Sequence, residues 1–397
     1  MNPFYSVSNI GTLYVPTACR DAVFARGRVK LFAHQDLVHL GRISTHIERG
    51  GVAVVEGDWA QIMVVMDYIR RHKSAVTPAH AYKSGSRAKG NRHLRPGGSI
   101  SRARLEEAYA RFLCWADADG TLQLEPPPDL PYLLEFIGEP PGANEGHPFL
   151  VPVASVQRIQ SALETAYPVN VLDASLVASE NVLAPRSQET VECFQEALQG
   201  VVSTLFNRTG SPEPVTVADI GCGCGVLTLL ARQELGADVT LSASDLLSEA
   251  AATTKLNIRR ICPEDTDIQV MLPGDLFEAF PSHQAFDLIL FNAPWVVARA
   301  RNRSELGIHD EKQRTLERFF AQAPNFLKPE GTILLGYADA SGPKAIENME
   351  RIIASAGFRV RDVFKRRVAT RRSKRKWEWI RVYVLERDFP IAGPSSG

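Results

Sequence analysis

At 397 residues the chain exceeds the roughly 100 to 200 residues of one ordinary domain, so two folded units are expected. Apolar residues make up 45% and charged residues 23%, a balance that excludes a disordered or fibrous chain. Lys and Arg (45) equal Asp and Glu (45), leaving no net field to draw nucleic acid or an anionic membrane. No apolar run reaches the ~18 residues of a membrane span and the N-terminus has no signal-peptide pattern, so a cytoplasmic location is expected. The scattered cysteines Cys19, Cys114, Cys193, Cys222, Cys224 and Cys262 read as reduced, small apolar residues.

Residues 1–82 show no strong period except Trp59 to Arg70, which reads as a largely buried helix. Residues 83–101 are rich in glycine and basic side chains and hold no acid, the pattern of a linker or long surface loop. Ser101 offers an N-cap, and Leu105, Ala108, Tyr109, Phe112 and Leu113 recur at helical spacing up to Trp115. Prolines 126–128 and 131 force an extended loop around a short apolar helix, and an amphipathic helix follows from Phe149. Residues 102–179 are thus expected to form a helical cover, making the N-terminal region mainly helical.

From Val215 the rhythm changes to short β-branched runs separated by helical patterns, the signature of right-handed βαβ units and a mostly parallel sheet. Strands are predicted at Val215 to Ile220, Val239 to Ser244, Ile268 to Pro273, Phe286 to Asn292 and Thr332 to Gly336. Arg359 to Val363 and Trp379 to Leu385 would close one edge as an antiparallel hairpin. The fold class expected is α/β, with a Rossmann-like domain over residues 180–388 and a disordered tail over residues 389–397.

The first predicted strand runs into Asp219-Ile220-Gly221-Cys222-Gly223-Cys224-Gly225, and an apolar helix from Val226 to Leu235 follows. Alternate glycines let the backbone approach a ligand closely, and the helix N-terminus behind them offers free N–H groups. A dinucleotide loop has the spacing G-x-G-x-x-G and cradles a pyrophosphate; here the spacing is G-x-G-x-G and an acid precedes it. Asp219 would repel a pyrophosphate but suits the cationic methionine end of S-adenosylmethionine. An open α/β sheet places its ligand beyond the carboxyl ends of successive strands. Asp245 ends the second strand, where it can accept the ribose hydroxyls. Asp275, after the third, can accept from the adenine amine while Leu276 lies on the ring. Gly221, Gly223, Gly225, Asp219, Asp245, Asp275, Leu276 and Asn292 are the expected cofactor-binding residues.

The fourth predicted strand ends in Asn292-Ala293-Pro294-Trp295. This segment resembles the Asn-Pro-Pro-Tyr motif of class I amino-methyltransferases, including the HemK-type glutamine methyltransferases and enzymes that methylate exocyclic base amines. The resemblance extends over the C-terminal half, through Val182 to Arg186, Gly274 to Phe277 and the predicted turn Leu327 to Gly331. It implies catalytic roles for Asn292, Pro294 and Trp295, with the Asn side chain and a backbone carbonyl accepting hydrogen bonds from the target nitrogen. Fixing those hydrogens turns a delocalised lone pair toward the sulfonium methyl. Ala293 replaces the family's first Pro and Trp295 its Tyr, which implies a pocket wider at one position and bounded by a larger aromatic wall. Ser187 to Thr190 is shifted from the family's usual Pro-Glu-Thr-Glu.

Arg299, Arg301, Arg303, His309 and Asp310 form a polar connection that is either solvated or lines a substrate pocket. No metal is expected, since sulfonium displacement requires none and no ligand set has metal spacing. The run Lys365 to Lys376 holds eight basic side chains and no acid, but no aromatic residue precedes Trp377, so nucleic acid is not the favoured partner. The expectation is an S-adenosylmethionine-dependent transfer of methyl to nitrogen on a small-molecule or amino-acid-like substrate. The alternatives are a cyclase resembling azetidine-2-carboxylate synthases, which would release methylthioadenosine, and methylation of a protein glutamine or a nucleic-acid amine.

Overall fold

The computed structural model describes residues 4–7, 11–14, 28–71, 102–128, 130, 133–137, 145–179, 181–209, 214–301, 303–369 and 376–388. The expected linker 83–101, the N-cap at Ser101 and the tail 389–397 lie outside the described residues. The chain divides into two compact units, Met1–Ser161 and Ala162–Gly397.

The first unit is built on a six-stranded sheet. Its strands are β1 (Phe4–Val7), β2 (Gly11–Tyr14), β3 (Val29–Phe32), β4 (Val52–Val55), β5 (Phe112–Ala116) and β6 (Phe149–Pro152), in the order β1-β2-β6-β5-β4-β3. Its helices are α1 (Leu40–Glu48), α2 (Trp59–Arg71), α3 (Arg102–Tyr109) and α4 (Leu133–Ile137), and α5 (Val153–Leu163) follows β6 directly. The mainly helical expectation for this region is therefore corrected. The helix expected to reach Trp115 stops at Tyr109, and Phe112, Leu113 and Cys114 belong to a buried strand. Apolar runs of four or five residues fit a buried strand and a buried helix equally, so Phe112–Ala116 and Phe149–Pro152 carried no period that could tell them apart. Leu13, Val52, Val54, Leu113 and Leu150 form one core of this unit.

In the second unit the hairpin β7 (Ala166–Val169) and β8 (Ala174–Val177) precedes the long helix α6 (Gln188–Thr209). The chain then alternates through β9 (Val215–Ile220), α7 (Val226–Leu235), β10 (Val239–Ser244), α8 (Ser248–Ile261) and β11 (Ile268–Val270). It continues with β12 (Phe286–Asn292), α9 (Arg314–Phe326), β13 (Leu327–Ala338), α10 (Pro343–Ser355), β14 (Phe358–Ala369) and β15 (Trp377–Arg387). The seven-stranded sheet has the order β11-β10-β9-β12-β13-β15-β14, with β15 antiparallel to both neighbours and the other adjacent pairs parallel. This is the mostly parallel Rossmann-like sheet with an antiparallel edge hairpin. Helices cover both faces: one core packs Phe194, Leu198, Leu230 and Leu290, the other Phe277, Ile289, Phe319 and Tyr337. No described helix is long and apolar enough to cross a membrane.

The strand order fixes where a ligand can sit. From β9 the chain steps outward to β10 and β11, then returns past β9 to place β12 on its other side, so a crevice opens beyond the carboxyl ends of β9 and β12. Asp219 and the glycine loop lie at one lip of that crevice and Asn292 at the other.

Candidate active site

The glycine loop is held by neighbours on three sides. Gly221, Gly223 and Gly225 have φ values of +71°, +59° and +81°, a region closed to most side chains, which is why glycine recurs there. The N–H groups of Gly221 and Cys222 donate to the Ser244 carbonyl at 2.8 and 2.9 Å, tying the loop to the end of β10. Beneath it, fully buried Asn257 on α8 donates to the carbonyls of Cys224 and Val177 at 2.8 and 2.9 Å and accepts from the Val177 N–H at 3.0 Å. The glycines differ in role. A Cβ on Gly225 would come 2.9 Å from Thr254, whereas one on Gly223 meets nothing within 4 Å. Gly223 faces open space and Gly225 allows α8 to pack. Cys222 and Cys224 are buried, and burial raises both thiols well above their ordinary range, Cys224 to about 12.

Asp219 is 1% exposed. Its Oδ2 accepts from the Thr228 hydroxyl at 2.6 Å, while Oδ1 has no hydrogen-bond partner. Burial pushes its pKa up to about 7, the Asp245 charge adds to the rise, and the Thr228 hydroxyl opposes it. A buried, half-satisfied carboxyl is costly unless a donor or cation completes it.

Asp245 lines the cleft beside the loop. Its Oδ2 accepts the Gly223 N–H at 3.0 Å and its Oδ1 the Leu247 N–H at 2.9 Å, so this acid shapes the loop besides facing the cleft. Burial raises its pKa, and those two backbone bonds hold the rise back. Asp275 is paired with Arg318 of α9, and its N–H donates to Glu278 at 3.2 Å. Leu276 takes a left-handed backbone, φ +55°, and its carbonyl accepts from Ser244 Oγ at 3.3 Å. Such a conformation in a leucine stores ~1 to 2 kcal/mol and aims the apolar side chain where the turn demands.

Across the crevice, Asn292 stands opposite Gly336 in the register of β12 and β13. A Cβ on Gly336 would lie 2.6 Å from Asn292 Oδ1 and 2.7 Å from the Phe194 ring, so only glycine leaves room for the amide. The Ala293 N–H donates to the Gly336 carbonyl at 3.1 Å. Ser341 Oγ donates to the Trp295 carbonyl at 3.1 Å and accepts the Val297 N–H at 2.8 Å. Val296 pairs with His309 in an isolated parallel bridge.

These groups line one cleft of about 330 Å³, which includes Asp219, Gly221, Gly223, Asp245, Asp275, Leu276, Asn292, Pro294 and Trp295. Val182 to Arg186 and His309 also line it. Gly225 stands behind the wall. The expectation of a pocket widened at Ala293 is corrected: Ala293 is fully buried in the core under α9 and does not line the cleft. The polar connection is also mostly accounted for otherwise. Asp310 caps α9 through the N–H groups of Thr315 and Leu316 at 2.9 and 3.1 Å, Arg303 pairs with Glu249 at 2.8 Å, and Arg301 pairs with Glu305 at 3.1 Å. Thr228, Asn257, Gly336 and Ser341 were missed in the sequence because each acts through a tertiary contact. Gly336, the glycine that ends a predicted strand, carried the one usable signal.

Residues 201–360 match the family model of the methyltransferase small domain. The match falls within the C-terminal unit, whose strand order and antiparallel edge hairpin are those expected of a class I methyltransferase. The chain is 28% identical over 192 residues to the release factor glutamine methyltransferase of Pasteurella multocida, covering 43% of this chain and 62% of that protein. It is 33% identical over 130 residues to the ribosomal RNA small subunit methyltransferase C of Alcanivorax borkumensis, covering 31% and 32%. A Leptospira interrogans release factor glutamine methyltransferase is 31% identical over 119 residues, covering 30% and 38%. The chain spans less than two thirds of the length of these relatives.

The geometry fits the S-adenosylmethionine of that class. The unpartnered Asp219 Oδ1 calls for a cationic donor, the open side of Gly223 leaves room for a ligand against the backbone, and Leu276 supplies an apolar wall.

Proposed function

We propose that this chain is an S-adenosylmethionine-dependent methyltransferase acting on a planar amino nitrogen, an amide or an exocyclic base amine, of a macromolecule. One observation carries the reading: Asn292, Pro294 and Trp295 line the same cleft as Asp219, Gly223 and Asp245. The names of the relatives favour a macromolecular acceptor over the small molecule expected from the sequence, since they specify release factor glutamine or ribosomal RNA.

When bound, S-adenosylmethionine supplies an electrophilic methyl group on a sulfonium. Asp219 would hold the ammonium end, Asp245 the ribose hydroxyls, Asp275 the adenine amine and Leu276 the ring face. Asn292 would accept a hydrogen of the acceptor nitrogen, its amide seated in the space that Gly336 leaves, and Trp295 would pack on the planar group. Pro294 fixes the backbone between them.

The test is to incubate the purified chain with S-adenosylmethionine and, in separate reactions, a glutamine-containing peptide or an RNA. The expected nucleoside product is adenosylhomocysteine, formed only with an acceptor and lost in Asn292→Ala. Methylthioadenosine formed without any acceptor would replace this reading with the cyclase.

A further inference from the structure

The end of the β14–β15 hairpin carries groups that the cleft does not use. Antiparallel pairing sets Arg367 opposite Trp379 and Ala369 opposite Trp377, which gathers Lys365, Arg367, Trp377 and Trp379 on one face. The Arg367 guanidinium lies 4.2 Å from the Trp377 ring centroid and Lys365 Nζ 5.6 Å from that of Trp379. The two indoles meet edge to face with centroids 5.9 Å apart. Lys365 and Arg367 are exposed and the indoles half-buried. The other face is anchored on α6. Phe364 lies over Gly200, where a Cβ would come within 2.9 Å of its ring, and Arg366 pairs with Glu192 and Glu196 at 2.8 and 2.6 Å. The cation–indole ladder is therefore an outward surface on a fixed support.

Its position relates it to the chemistry. Ile380 pairs with Ala338, so this end of the hairpin stands at the carboxyl end of β13, the edge of the sheet where the cleft opens. Asp339 accepts the Trp379 N–H at 2.9 Å, and Ser341, in the same short turn, holds the Trp295 carbonyl at 3.1 Å. The ladder and the catalytic loop hang on one turn.

We propose that this face docks a single-stranded nucleic-acid segment and delivers an exocyclic base amine to Asn292. Unpaired bases stack on indole and guanidinium planes while Lys and Arg meet the phosphates. An acidic peptide would match the charge but leave the rings unused, and a duplex keeps its bases inside. Zero net charge does not oppose this, because salt screens fields beyond about 10 Å and a phosphate chain meets only the local cluster. The aromatic interleaving absent from the linear run is supplied by strand pairing.

This deepens the proposed function and rests on it for the transfer step, whereas docking is measured without cofactor. The experiment follows the fluorescence anisotropy of a labelled 12-nucleotide single-stranded RNA with the full chain at several salt concentrations. The double variant Lys365→Glu/Arg367→Glu should bind at least tenfold more weakly, with the slope of log affinity against log salt reduced by about 1.4 for two lost phosphate contacts. Trp379→Ala should also weaken binding, and the matching duplex and a glutamate peptide of equal charge should bind at least tenfold more weakly than the single strand. An unchanged melting temperature shows that the variants are folded, and the milder Lys365→Gln/Arg367→Gln serves where charge reversal lowers it. Equal RNA affinity in a folded double variant, or equal affinity for the duplex or the peptide, overturns the proposal. RNA binding without adenosylhomocysteine formation would overturn delivery of a base amine to Asn292, and absence of adenosylhomocysteine with the glutamine peptide as well would sink the methyltransferase reading while leaving the docking surface standing.

Discussion

Asn292 and Gly336 face each other across β12 and β13, and a single methyl group added at position 336 would lie 2.6 Å from the Asn292 amide oxygen. Real Cβ atoms do not approach so closely, so one of the two must move. Gly336→Ala should therefore act through Asn292, lowering turnover at least about tenfold while cofactor affinity stays within a few-fold. Combining it with Asn292→Ala should add little, because both remove one positioned group. Additive losses in the double-mutant cycle would show that Gly336 serves only the packing of Phe194.

Asn292→Ala alone separates transition-state from ground-state contacts. If the amide holds the acceptor nitrogen only as the methyl moves, turnover should fall by roughly a hundredfold with cofactor affinity almost unchanged. Calorimetry for binding and a single-turnover assay for transfer make the comparison. Parallel losses in both would favour the cyclase, whose attacking amine belongs to the cofactor itself.

Asp219 gives the site a pH dependence. Burial lifts its pKa to about 7, so below neutrality the carboxyl is protonated and cannot pair with a cation. Cofactor affinity should fall by about tenfold from pH 8 to pH 6 in the wild type, with no such fall in Asp219→Asn, which binds weakly throughout. The stability of the unliganded protein runs the other way. The folded pKa exceeds the unfolded 3.8, so the unfolded chain loses its proton first. Stability contributed by this group then declines as pH rises from about 4 to about 7 and is level above. Thermal melting of the wild type and Asp219→Asn across that window checks the sign.

The parallel sheet and its glycine loop were legible in the sequence because β-branched runs and alternating glycines are local patterns; β9, β10 and β12 end on the expected residues. Strands β13, β14 and β15 run longer than expected, since many of their added residues, such as Lys328, Glu330, Lys365 and Glu378, are partly exposed polar positions. The first unit was legible only in part: the helix expected from Trp59 to Arg70 is α2 and much of the one expected after Phe149 is α5, but its sheet was not read. Its strands β4, β5 and β6 are short apolar runs far apart in the sequence, joined by both parallel and antiparallel pairing that no local period announces. At the site, the same limit hid Asn257, whose side chain joins residues 33 and 80 positions away.

The loop glycines make a last, sharper test because the structure assigns two of them different work. Gly223→Val puts a branched side chain into open space on the ligand side of the loop, so it should lose S-adenosylmethionine binding, with a drop in melting temperature limited to the backbone strain of a φ of +59°. Gly225→Val drives the same side chain into Thr254, 2.9 Å from its first carbon, and should lower the melting temperature by several degrees as α8 is pushed away. Asp245→Ala lies between the two, because its carboxylate both accepts the Gly223 N–H and faces the cleft. It should weaken binding by about 1.5 to 3 kcal/mol, the usual loss for a charged acceptor, with a small drop in melting temperature. Calorimetry and melting curves on the three variants form one set. If Gly223→Val binds the cofactor normally, the open side of the loop does not face the ligand and the assignment of this cleft fails.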